Sequence, residues 1–182
     1  MISREESLRL VKKHVKNRNL VKHMIAVSAI MKMLANHFGE EPALWEAVGM
    51  LHDVDYERTS DDFPRHGLLS ASMVADYLPE EGLKAIRAHN PMTGVKAESR
   101  MEISLFVADA ISGMIVAGAL VRPTRLEGMK PKSLRRRMKD KSFARNVSRE
   151  NILRCEEIGL DLNTFLSLSI EAMQSVSDEI GL

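Results

Sequence analysis

The sequence predicts an all-α protein, a single helical bundle of about seven to nine helices spanning residues 1–182. Three observations lead there. Aromatic residues make up only 4% of the chain and β-branched runs are short, while Met, Leu, Ala, Lys and Glu dominate. Apolar residues recur at the three-to-four spacing of a buried helical stripe almost everywhere. Capping and stop residues fall where those stripes begin and end.

The elements follow in order. Ser3, with Glu5 and Glu6 behind it, opens an amphipathic run to about Lys16 that carries Leu8, Val11 and Val15 on one side. A second helix runs from about Asn19 to Phe38 on the stripe Leu20, Met24, Val27, Ile30, Met31 and Leu34, and Gly39 stops it. Pro42 starts a third, to about His52. Residues 53–64 are polar and irregular and read as a loop. A helix over 65–77 ends before Pro79, and a short one over 80–88 ends at His89. Asn90–Thr93 is a turn around Pro91. Residues 98–120 form a long, largely apolar helix, hence a central one. After a loop over 122–131 come a short basic helix at 133–139, a helix over 149–157 capped by Ser148, and a last helix over 161–180 opened by Asp161. No repeat, low-complexity tract or long linker divides the chain.

Composition excludes several classes of function. Forty-five per cent apolar and 28% charged residues is ordinary for a globular chain, and a net charge of +1 gives no global field toward nucleic acid or membrane. Basic residues do cluster at 12–22 and 130–149, and the latter stretch could form an anion-binding lid. It lacks the aromatic interleaving of single-strand binders, which argues against nucleic acid. The lone Cys155 cannot make an internal disulfide and fits a reducing compartment. The first residues, MISREESLRLVKK, are too charged for a signal peptide, and the longest apolar stretch, Ile103–Val121, is interrupted by Asp109. A cytoplasmic protein without a membrane role is the expectation. Twelve Met residues leave a homodimer open, although Met at helical spacing usually fills a core.

Six potential metal ligands recur within the first 109 residues: His23, His52, Asp53, His66, His89 and Asp109. Asp109 sits in SLFVADAISGMIV, where an ionised carboxylate needs a cation or several donors. His52–Asp53 closes the apolar run WEAVGMLHD. Imidazole and carboxylate together suit Fe, Mn, Zn, Ni or Co, and the lack of a well-placed cysteine argues against a structural zinc site.

His23, His52–Asp53 and Asp109 in that order resemble the H…HD…D signature of the HD-domain superfamily of metal-dependent phosphohydrolases. GMLHDVDYE is similar to the LLHDIG or LLHDID form of its motif, with Val54–Asp55 where many members carry Ile-Gly. The resemblance covers roughly residues 20–120, leaving 121–182 as a helical extension with a basic loop. It implies a helical bundle and hydrolysis of a phosphomonoester or phosphoanhydride of a small nucleotide or phosphorylated metabolite by a metal-activated hydroxide. It also implies that His23, His52, Asp53 and Asp109 hold one divalent transition metal. His66 and His89 match the extra histidines of binuclear members, such as the HD-GYP and dinucleoside tetraphosphate hydrolase types, which implies two ions with Asp53 between them. Asp53, His66 and His89 are thus the catalytic candidates.

Candidate substrate cations are Arg58, Arg65, Arg122, Arg125 and Lys130. Asn90–Gly94, next to His89, should line the same cleft, and Asp55, Tyr56 and Glu57 are near enough to act behind the ligands. The rival readings are a mononuclear nucleotidase, a di-iron oxygenase of the same fold, and a non-catalytic metal-binding sensor or regulatory module.

Overall fold

The computed structural model describes residues 2–182, and among them there is no β-strand. The first three helices are α1 (Arg4–His14), α2 (Arg18–Phe38) and α3 (Pro42–Leu51). Then come α4 (Leu68–Met73), α5 (Glu80–Ala88) and the long α6 (Arg100–Leu120). The remainder is α7 (Pro131–Met138), α8 (Arg149–Leu153), α9 (Leu162–Gln174) and α10 (Ser177–Ile180). All nine expected helical segments are present.

Three segments differ from expectation; one of them, expected over 149–157, is α-helical only to Leu153 and finishes as a 3₁₀ helix over Arg154–Ile158 that runs into Gly159 at φ 84°. The segment expected over 65–77 shrinks to α4. Phe63–Arg65 is a 3₁₀ turn holding Pro64, His66 is extended, and Gly67 takes the left-handed side at φ 88°. The last expected helix breaks in two, giving a tenth. The Ser175 hydroxyl donates to the Ala172 carbonyl, a local bond that competes with the helix ladder, and Val176 leaves helical geometry.

Several starts are capped as the residue types demand. Ser3 and Glu6 form a reciprocal capping box on α1, and Ser99 with Glu102 does the same on α6. Asn17, Ser148 and Asp161 cap α2, α8 and α9 through their side-chain oxygens.

α6 lies at the centre, with apolar residues all round it; Leu105, Val107, Ala108, Ile111, Met114 and Ile115 have no exposed surface. By length and composition it could cross a membrane, but two thirds of that stretch is buried against neighbouring helices, as in a core helix. α2, α3, α5 and α9 surround it, and one continuous apolar core runs from Ile2 to Ile180. α2 and α3 approach closely because Gly49 has no side chain. A Cβ there would stand 2.8 Å from the Ser28 Cα. That approach sets the His23 and His52 rings 5.3 Å apart, at the end of the bundle where the site forms.

Candidate metal centre

Four imidazoles are held in the same way. His52, at the end of α3, donates its Nδ1–H to the Gly49 carbonyl at 2.9 Å. His89, at the end of α5, donates Nδ1–H to the Ile86 carbonyl. His66 donates Nδ1–H to Asp55 Oδ1 at 2.7 Å. On α2, His23 Nδ1 lies 3.2 Å from Ser112 Oγ, whose own hydrogen goes to the Asp109 carbonyl at 2.8 Å; the hydroxyl therefore accepts from His23. With every Nδ1 carrying the hydrogen, each neutral ring turns an Nε2 lone pair inward.

Those lone pairs meet carboxylate oxygens. Asp53 Oδ1 lies 3.2 Å from His52 Nε2, 3.3 Å from His66 Nε2 and 3.2 Å from His89 Nε2. Its other oxygen faces His23 Nε2 at 3.6 Å, and Asp109 Oδ1 faces the same nitrogen at 3.1 Å. His66 and His89 bring their Nε2 atoms within 3.0 Å of each other. His52 Nε2 and Asp53 Oδ1 are fully buried and make no hydrogen bond. Lone pairs facing lone pairs in a buried pocket repel unless a cation sits among them. Nitrogen and oxygen donors fit a divalent metal. The ligand atoms of His23, His52 and Asp109 lie within 4.8 Å of one another, and so do those of His52, Asp53 and His89.

Electrostatics without metal tell the same story. Burial disfavours the charged form of His66, but the carboxylates of Asp53 and Asp55 outweigh it and push its pKa up to about 9. His23 is raised as well, since Asp109 and Asp53 overcome burial. Burial holds His52 down to about 4. The Asp53 carboxyl, despite burial, is drawn well below the usual range by the surrounding histidines, and His23 lowers Asp109. In the metal-free protein, a proton on His66 thus supplies positive charge that the cluster demands, and His23 is shifted in the same direction.

The cluster opens into a cleft of about 940 Å³. His23, Asp53, His66 and Asp109 line it with Asn17, Asn19, Tyr56, Glu57, Ser60, Phe63 and Asn146, while His52 and His89 are buried behind. All six sequence-predicted ligand candidates therefore come together. The five candidate cations do not join them. Arg58 lies against His14 Nδ1 at 3.2 Å, and Arg65 is exposed beside Asp62. Arg122 spends its guanidinium on the Arg125 and Glu127 carbonyls of its own loop. Arg125 donates to the Leu120 carbonyl, and Lys130 precedes α7 beside a different groove. Among the described residues no Lys or Arg lines the cleft.

Asn90–Gly94 does not line it either. Asn90 is buried and donates its amide to the carbonyls of Phe63 and His66, clamping the loop that presents His66. Cys155 is buried in the core, its thiol pushed up to about 11 by burial.

Sequence reasoning could not rank the residues behind the ligands. Asp55 proves to be the main one. It is fully buried and accepts hydrogen bonds from His66 Nδ1, from the Gly67 amide at 2.9 Å and from the Ser70 amide at 2.7 Å. Glu57 caps the α1–α2 turn by accepting from the amides of Lys16 and Asn17. Ser112 went unnoticed, although its position three residues after Asp109 on one helix was a readable signal. Gly67 is required too, because a Cβ there would meet the Ile86 carbonyl at 2.8 Å and the His89 ring at 3.2 Å. Asn146 had no signal, since a loop from the far end of the chain delivers it.

No curated protein and no solved structure gives a significant match to this chain. A family profile does, over residues 20–114, just over half of the sequence, and that range holds all six clustered residues. The chain belongs to the HD domain family, a family of mostly metal-dependent hydrolases with a helical fold.

Proposed function

We propose that this protein is a metal-dependent phosphohydrolase acting on a phosphomonoester or phosphoanhydride of a small nucleotide or phosphorylated metabolite. The observation that carries the reading is the set of three inward imidazole lone pairs around the buried, unpartnered Asp53 Oδ1, with a fourth, from His23, on the other oxygen of the same carboxylate. His23, His52, Asp53 and Asp109 would hold one divalent transition metal, Fe, Mn, Zn, Ni or Co. His66 and His89, with Asp53 between, would hold a second. The two oxygens of Asp53 face different halves of the cluster, one toward His23 and the other toward His52, His66 and His89, which supports a bridging role.

Bound divalent ions supply water activation near neutral pH and neutralise phosphoryl charge. The chain's own groups do the rest. Asp55, the Gly49 and Ile86 carbonyls and Ser112 hold the four rings in one tautomer and orientation. The cleft offers neutral polar groups, from Asn17, Asn19, Ser60 and Asn146, and no Lys or Arg. A phosphate entering there has no fixed protein cation to meet, so its charge falls to the metal. Phe63 and Tyr56 form an apolar wall beside His66, with ring centroids 5.0 and 5.2 Å from it.

The test is metal reconstitution followed by phosphate release from a panel of nucleotides and phosphoesters. Release that needs metal and disappears in Asp53→Ala supports the reading. Full activity with one ion per chain in His66→Ala and His89→Ala would reduce the site to one metal. Oxygen consumption without phosphate release would replace the reading with an oxygenase, and a metal-loaded protein inert on the whole panel would favour the sensor.

A further inference from the structure

The charge of this molecule is divided in two. Residues 130–149 hold nine of the 26 Lys and Arg but one of the 25 Asp and Glu, a net +8 against −7 for the rest of the chain. α7 organises this charge. Leu134 faces inward, against the bare backbone of Gly118 on α6. Lys132, Arg135, Arg136 and Lys139, at the i, i+3, i+4, i+7 spacing of one helical face, are exposed. With Lys130 and Ser133 they line a concave groove of about 560 Å³. Among the described residues none of these five cations has a carboxylate within ion-pairing distance; the one side-chain bond is from Arg135 to Asn163.

Two neighbouring arginines behave differently. Arg137 stacks over the Phe143 ring, and Arg149 donates to the carbonyl of Met138 at the end of α7 and to four carbonyls of the loop that follows. The fold thus uses those two as structural parts and leaves the five groove cations uncompensated. Like charges held on one face repel, and a bound polyanion relieves that cost.

We propose that this groove binds a compact, soluble polyphosphate, meaning three or more linked phosphoryl groups, free or carried by a nucleotide. The groove is separate from the metal cleft: Gly118, beneath α7, lies nine residues beyond Asp109, or about 13 Å along α6. Arginine and lysine together suit linked phosphates, the first by paired bonds and the second as a point charge. The cationic face is about 10 Å long, from Lys132 to Lys139, and no aromatic residue lines it for base stacking. An extended polyanion would overrun it. A short one would not.

The probe is inorganic tripolyphosphate, titrated calorimetrically into the metal-stripped protein, so that the cleft contributes no metal ion, and the groove variants below separate groove binding from binding at the histidines of the cleft. ATP and AMP are the parallel arms that separate free from nucleotide-borne polyphosphate, and a 20-mer of oligoadenylate and anionic vesicles are the competing polyanions. Expected are one site per chain for tripolyphosphate or ATP, weak binding of AMP, and affinity that falls between about 50 and 200 mM salt. The double variant Lys132→Glu/Arg136→Glu should weaken binding by about tenfold or more. Both side chains are exposed, and an unchanged melting temperature confirms folding; the milder Lys132→Gln/Arg136→Gln pair serves if the first is unstable. Binding that both pairs leave intact overturns the proposal. So does binding of the oligoadenylate or the vesicles with no detectable binding of tripolyphosphate or ATP. Phosphate release plays no part in the readout, so this result stands or falls separately from the hydrolase reading.

Discussion

Replacing Asp55 by Asn tests how the histidines are held. The two side chains are nearly the same size, so packing is preserved. Oδ1 of Asp55 receives the His66 Nδ1–H, and Oδ2 receives the amides of Gly67 and Ser70. An amide group must place its NH₂ on one of these two sides. Set toward His66, it becomes a donor facing a donor, and the ring must shift its hydrogen to Nε2, the atom aimed into the cluster. Set toward the loop, it confronts two backbone amides. Either way a buried charge-assisted bond is lost, worth about 1.5–3 kcal/mol. Loss of an outer partner of this kind lowers metal affinity by about 10–100-fold, equivalent to roughly 1.4–2.8 kcal/mol. The assay is competitive metal titration against a chromophoric chelator, with thermal melting of the metal-free protein as the control for folding. Weakened binding by a variant that still melts cooperatively is expected. Wild-type affinity and stoichiometry in Asp55→Asn would refute the argument that Asp55 sets the tautomer of His66.

Four further outcomes follow from the structure. Metal uptake should release protons, because His66 in the metal-free protein holds its proton up to about pH 9, where Asp53 and Asp55 outweigh burial; apparent affinity rises with pH from neutrality to about 9 and levels off above. The same raised value gives the metal-free protein a stabilising contribution that is complete below the ordinary imidazole value of 6.5 and is lost as pH rises through about 9, measurable by denaturant titration. Gly67→Ala should cost about 1–3 kcal/mol in a denaturant melt and reduce metal content, since its φ of 88° is left-handed and its Cβ would strike the Ile86 carbonyl. Cys155 should react with a thiol reagent only on unfolding, because it is buried and its thiol is pushed up to about 11.

The helices were readable because their signals are local. Ser3, Ser148 and Asp161 cap as their side chains require, and α2 buries the expected stripe from Met24 to Leu34, while Leu20 at its start stays partly exposed on the cleft. Asp109 announced the site as a carboxylate on an apolar helix, although it is not sealed in the core as that setting suggested: its side chain is 39% exposed on the wall of the cleft. The first-contact residues were legible because each is a chemically specific type in an ordered series. What lay hidden depends on long-range placement. Residues 53–64 look polar, and nothing local shows that Asp55 is fully buried under His66 rather than exposed in the loop. The five cations assigned to substrate were chosen by nearness in sequence. Arg125 instead bonds the Leu120 carbonyl at the end of α6 and Arg122 the carbonyls of its own loop, because a free helix end and a tight loop supply acceptors that an arginine satisfies first. The basic run at 130–149 was visible as charge, but the separation of structural arginines from uncompensated ones needed the fold.

The most direct test of the central claim is a metal titration of chelator-stripped protein with phosphate release and bound metal measured on the same samples. Release from at least one nucleotide or phosphoester should be absent without metal, rise in proportion to bound Mn or Fe, and vanish in Asp53→Ala while the variant stays folded. Protein that fills its sites with metal and releases no phosphate from any substrate in the panel, or that releases it equally well without metal, would contradict the account.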